Sequence, residues 1–335
     1  MAPRSPRGRD SWEGTSVRAC ALVWTLAGSL LGCATQHVGQ RAGLAADAAQ
    51  ALTCPTDVSA VLPSWAEDRV LIDTQRLFAH PRLPRLLART LDQASARALV
   101  TRAEQFGYEV RTLERVAIAM TARHTTLYVA QGPMDTGRIV QHLYDRLREP
   151  RRLHQDAAQR TRVEGRLGPT LSTLVTAPTC RMVAYTEGPE GTLADRLNAP
   201  TAASPESPTS APSPSELSEP MLHWHSTQRF VGVSPSSDAL MSQVRAMDLR
   251  VEPTAEGLVL ELTLLGALAA DAETRLRRAV RELADTPMGV LSAAAHWTAP
   301  ERLSIVRETD GTTRLRTVAP WEAVEALAEG LGGHP

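Results

Sequence analysis

Residues 249–264 read LRVEPTAEGLVLELTL. Leu249 and Val251 flank Arg250, and Leu258, Leu260, Leu262 and Leu264 recur at every second position. Successive side chains of a strand point to opposite faces, so each run carries an apolar face. Between them, Thr254-Ala255-Glu256-Gly257 offers turn chemistry. ETRLRRAVREL follows, with Leu276, Val280 and Leu283 on one helical stripe. The order is strand, turn, strand, helix.

That order recurs on both sides. Upstream, Val116, Ile118 and Met120 alternate, then Leu127 and Val129. GRIVQHLYDRL follows with Val140, Leu143, Tyr144 and Leu147 on one face. Downstream, Leu303 and Ile305 precede Asp310-Gly311, a tight-turn dipeptide suited to φ > 0. Leu315 comes next, then WEAVEALAEGL with Val324, Leu327 and Leu331. Three ββα units are expected, over 115–148, 249–284 and 302–331. Each has an apolar strand face and an apolar helix stripe that must cover each other. The fold class expected is α+β, with one or more antiparallel sheets and helices packed on one face. RVLIDTQRL (69–77) reads as a further strand. A helix is expected over 83–105, with Leu83, Leu86, Leu87, Leu91, Ala94 and Ala98 on one face and Gly107 ending it. The first half then runs β-α-β-β-α, close to a ferredoxin-like order.

Residues 199–220, APTAASPESPTSAPSPSELSEP, are dominated by Pro, Ser and Ala. Such a segment buries too little apolar surface to offset its ordering entropy, so it is expected to be a disordered linker. It divides a first half, 63–198, from a second, 221–335. Residues 33–62 read as a tether and entry segment.

Apolar residues make up 43% of the 335 residues and charged ones 22%, which suits a globular body with a real core. Aromatics are 4%, so that core must be mainly Leu, Val and Ala. The formal net charge is −1 and the pI about 6.8, which argues against a nucleic-acid partner, since that needs a basic patch able to displace counterions. Every basic residue other than histidine is Arg. With no lysine, Schiff-base chemistry and the phosphate-loop and kinase lysines are excluded.

The N-terminus gives an address. Residues 1–18 contain four arginines, and 19–31, ACALVWTLAGSLL, carry no charge. That is a basic region followed by an apolar one of signal-peptide length, shorter than the ~20 residues a bilayer span needs. Leu30-Leu31-Gly32-Cys33 closes the run. This stretch resembles the lipobox of bacterial lipoproteins. The resemblance implies a signal peptide over 1–32, cleavage between Gly32 and Cys33, and lipid on the Cys33 thiol as the membrane anchor. Ala34 after the cysteine points, in such families, to the outer membrane more than the inner. The body is similar in composition and in its ββα units to uncharacterised envelope lipoproteins of high-GC Gram-negative bacteria. Under this reading Cys20 is removed and Cys33 is acylated, leaving Cys54 and Cys180 as a disulfide candidate in an oxidising compartment. Two separate buried thiols are the alternative.

His223-Trp224-His225 is the one close histidine pair, and i,i+2 positions on a strand share a face. No third metal ligand stands at a familiar spacing, so two surface histidines with Trp224 packed inward are expected, and a metal site at His223 and His225 is the weak candidate. No nucleophile elbow, metalloprotease helix, calcium loop or dinucleotide fingerprint occurs. Ser234 to Asp238 reads as a helix start, and Gly188-Pro189-Glu190-Gly191 as a turn. The expectation is a non-enzymatic binding or structural protein without a cofactor, partnered by an envelope protein or apolar ligand. An apolar-ligand carrier, with a cavity lined by Leu258, Leu260, Leu262 and Leu264, is one alternative. A hydrolase or metalloenzyme using His223 and His225 is another.

Overall fold

The computed structural model describes residues 54–55, 57–90, 108–156, 159–197, 220–228, 240–266, 268–269, 271–284, 303–309 and 311–332. The signal region, Gly32 and Cys33, nearly all of the 199–220 linker, the 234–238 segment, and His296 and Trp297 lie outside them.

The strands are β1 (Asp68–Asp73), β2 (Arg115–Met120), β3 (Thr126–Gln131), β4 (Arg148–Gln155), β5 (Thr161–Leu167) and β6 (Thr170–Ala177). They continue with β7 (Met182–Glu187), β8 (Leu222–Ser226), β9 (Ala246–Pro253), β10 (Gly257–Leu265), β11 (Ser304–Arg307) and β12 (Thr313–Pro320). The helices among the described residues are α1 (Thr74–Ala79), α2 (Leu83–Thr90), α3 (Thr136–Arg146), α4 (Ala272–Ala284) and α5 (Trp321–Gly332). All twelve strands form one sheet in the order β11-β12-β10-β9-β8-β1-β2-β3-β7-β6-β5-β4. Every pairing is antiparallel. β1 sits at the seam, with Val70 opposite Ile118 of β2 on one side and Trp224 of β8 on the other.

This overturns the expected fold class. The molecule is dominated by a single twelve-stranded antiparallel sheet, and its helices cover patches of it. Strand-strand-helix order does occur at β2-β3-α3, β9-β10-α4 and β11-β12-α5. A ferredoxin-like first half does not form, because β4, β5, β6 and β7 follow one another with no α-helix between them. Sequence periodicity assigns no strand to that region. For β6 and β7 the physical reason is burial on both sides, which removes the apolar-polar alternation that marks a half-exposed strand. On one side, Val175, Ala177, Met182 and Ala184 lie under the 3-10 turn Val58–Val61, Leu62 and the 3-10 segment Gly191–Leu197. On the other, Val163, Leu174, Val183 and Tyr185 pack against Ile139, Val140, Leu143 and Leu147 of α3 and its C-cap. Ser172, Thr173, Thr176 and Thr186 are buried among these apolar residues, so the stretch does not read as a core strand. Glu164 and Glu187 stand in β5 and β7.

The 69–77 run divides into β1 and α1. Asp73 makes the break, its side chain accepting from the Arg76 N–H at 2.9 Å as an N-cap. The turn between β2 and β3 closes with His124 at φ 57°, a left-handed position without glycine. Gly257, the first residue of β10, is required by close approach: a Cβ there would lie 1.9 Å from the Ala319 carbonyl oxygen of β12.

Candidate functional site

β8 carries its two histidines on one face, and the register sets His225 opposite Asp248 of β9 and Arg69 of β1. His223 Nε2 lies 3.1 Å from Asp248 Oδ1, and His225 Nδ1 lies 2.9 Å from the same oxygen. One carboxylate oxygen therefore bridges two imidazoles. Burial by itself raises the Asp248 pKa. The hydrogen bonds and charges of His223 and His225 outweigh it and hold the carboxyl well below the usual carboxylate range. Arg69 completes the row. Burial lowers its pKa and the Asp248 charge partly offsets this, while its Nε is buried with no hydrogen-bond partner among the described residues. The arrangement ties β8 to β9 through a charge-assisted link on a half-buried sheet face. Among the described residues, no three His, Cys, Asp or Glu side chains converge on a metal-sized position.

On the opposite face, Trp224 donates from Nε1 to Asp68 Oδ1 at 3.2 Å and packs with Val70, Ile72, Ile118 and Leu222. Trp321 opens α5 and is buried, with Nε1 donating to the Thr254 carbonyl at 3.0 Å. His80 stacks on its ring with centroids 4.7 Å apart. Three of the four leucines expected to line a cavity are used in packing. Leu258 joins the cluster of Leu83, Leu86, Trp321 and Val324, and Leu262 and Leu264 join that of Leu240, Leu268 and Leu276. The open depression that the described residues form lies elsewhere. It holds about 700 Å³ between Tyr108, Met134, Arg138, Pro178 and Arg181. Burial pushes the Tyr108 phenol up to about 12, so it stays protonated there. Arg181, at φ 53°, pairs with Glu114 at 2.7 Å on the rim.

Cys54 and Cys180 are joined as a disulfide, with Cα atoms 5.3 Å apart. Cys180 ends the 3-10 turn Pro178–Cys180 between β6 and β7, so the bond fastens the first of the described residues to that turn. Cys33 and Gly32 lie outside the described residues. Sequence reasoning did not bring Asp248 or Arg69 to the histidines. The alternation of His223 and His225 supplied a face, but the partners come from the pairing order of three strands.

No protein-family model matches the chain, and no curated protein matches it. Among solved structures the chain is similar to TP0453. Its crystal form III shares 14% identity at a TM-score of 0.44, covering 84% of this chain and 99% of that one. Crystal forms IV and I each share 12% identity at a TM-score of 0.42, covering 82% and 83% of this chain and 95% and 98% of those. The likeness is loose.

Proposed function

We propose that this chain is an extracytoplasmic lipoprotein, held to a membrane by lipid on Cys33, and that it works at the cell envelope as a binding or structural protein. The observation that carries this reading is the use of its cysteines. Cys33 ends a charge-free run in a lipobox-like LLGC, and Cys54 pairs with Cys180 where the folded body begins. Disulfides persist in oxidising compartments, which is where a cleaved lipoprotein resides. Two or more acyl chains hold a protein firmly where one holds it marginally, so an acylated N-terminal cysteine is a sufficient anchor. Ala34 supports the outer membrane over the inner.

Intact mass of the protein extracted from the membranes of a Gram-negative host tests this. A chain beginning at Cys33 with diacylglycerol and acyl mass is expected, and Cys33→Ala should release the protein from the membrane fraction. A chain beginning at Met1, or one beginning at another residue without lipid, would refute the anchor.

A further inference from the structure

We infer that the β4–β5 edge hairpin is a docking surface for an anionic phospholipid membrane. Among the described residues, β4 is a terminal strand of the sheet and pairs only with β5. Between 148 and 166 there are six arginines and three acids, in a chain whose net charge is −1. The register sets Arg148 opposite Arg166 and His154 opposite Arg162, with Arg152 opposite Glu164 between them. All six side chains share one face of the hairpin. Like charges directly opposite each other destabilise an antiparallel pair, so the hairpin carries a repulsion that a layer of external anions relieves.

Glu164 and Asp156 already have arginine partners within the hairpin. Arg162 binds both Glu164 and Asp195. Arg152 reaches Glu164 at 3.4 Å while its side chain remains 78% exposed. Arg148 and Arg166 are exposed, and Arg166 Nη2 donates to the Pro169 carbonyl at 2.6 Å. A guanidinium has five N–H donors, so these contacts leave most of the donors at Arg152 and Arg166 for phosphate, which arginine grips bidentately.

A lipid surface fits better than an added peptide strand. Pro150 removes a donor from β4, and the register shifts between Arg148 and Arg152, so the edge is a poor strand template. The hairpin turn also lies at the end of the sheet where the chain enters. Thr161 is opposite Thr176, and the 178–181 turn that holds Cys54 follows directly. Arg162 and His154 lie toward that end and Arg148 and Arg166 toward the other, so the tether from Cys33 would lead to one end of the basic face. This orientation rests on the envelope reading, but the docking itself can be measured without the lipid.

The test uses the full chain with Cys33→Ser, sedimented with vesicles of phosphatidylcholine alone or with a third of phosphatidylglycerol. The N-terminal apolar run is common to all variants, so the informative quantity is the increment due to phosphatidylglycerol. That increment is expected to vanish at high salt. Arg148→Gln, Arg152→Gln and Arg166→Gln together should reduce it on the order of 100-fold, from the contribution of each basic residue near an anionic leaflet. Arg123→Gln, Arg245→Gln and Arg316→Gln together change three arginines exposed elsewhere and should leave it within a few fold. No preference for anionic vesicles, or equal losses in the two triple variants, would overturn the proposal. Should the hairpin variant fail to fold, amide exchange of the parent reads the same contact. Protection over 148–166 is expected with anionic vesicles, and its absence there overturns the assignment. Lipid-free docking can fail while Cys33 is still found acylated, so the two readings fall separately.

Discussion

Breaking the Cys54–Cys180 bond should cost the fold several kcal/mol. The bond closes a loop of 126 residues, and that loop contains β1 through β6. The chain-entropy relation gives about 5 kcal/mol at 25 °C for a loop of that size. The native side adds to this, because Cys54 leads into the Val58–Val61 turn, whose valines are fully buried over β2 and β3 beside Ala117, Leu127 and Val129. For a domain of this length about 5 kcal/mol corresponds to a fall of about 10–20 °C in melting temperature. Differential scanning calorimetry of the parent, Cys54→Ser, Cys180→Ser and the double variant measures it. All three variants should melt together, because the stabilisation belongs to the bond and not to either side chain. Dithiothreitol should bring the parent to the same temperature and leave the variants unmoved. Either a parent whose melting ignores reductant or single variants that melt far apart would refute the reasoning.

Two further outcomes follow from the sheet. Asp248→Asn removes the charge that His223 and His225 share, and should cost about 1–3 kcal/mol in urea unfolding, the range for half-buried hydrogen bonds losing their ionised partner. Because the folded-state pKa of Asp248 is depressed, its contribution is fully present above the ordinary carboxylate pKa of about 3.9 and is lost as pH falls below that toward the folded value. The parent should therefore lose stability on acidification through that range by more than Asp248→Asn does, and parallel curves would sink the assignment. Gly257→Ala forces a methyl against the Ala319 carbonyl and should destabilise far more than Gly168→Ala, where nothing lies within 4 Å and only the φ of 63° opposes the change. Thermal melts of the two variants decide it, and equal shifts would mean that β10 and β12 separate easily.

The strands that could be read from sequence are the ones with one apolar and one polar face. β9 and β10 alternate leucine with Arg, Glu and Thr because one face meets α4 and α5 while the other carries Arg250, Glu252 and Glu261. β4 hides for the opposite reason. REPRRLHQ has one large aliphatic residue, Leu153, and it is held in the sheet by pairing with β5 and by Arg151 stacking 4.5 Å over the Tyr144 ring of α3. β6 and β7 hide because both faces are covered. Their hydroxyls settle inside, as in Ser172 bonding Tyr185 Oη at 3.1 Å, and such residues read locally as turn or surface. The covering elements were no easier, since 3-10 segments of four and seven residues are too short to show a period.

The cysteines and histidines were visible as residue types, but what they do depends on order in the sheet. Cys180 meets Cys54 because β6 and β7 turn back where the chain enters over β2 and β3. The histidines acquire a function only through β8, a five-residue strand that inserts between β1 and β9. β1 lies far upstream and β9 begins only at Ala246, so local periodicity could give the imidazoles a common face and nothing more. Pairing with β9 puts Asp248 beside both rings, and pairing with β1 puts Arg69 across from His225. A one-residue slip of β8 would turn both histidines to the face occupied by Val70 and Ile118 and bring Trp224 to the charged side. The shared carboxylate on one face and the Trp224–Asp68 hydrogen bond on the other each select the observed register, and β1, as the strand that receives β8, is what makes one sheet of the chain on either side of 199–220.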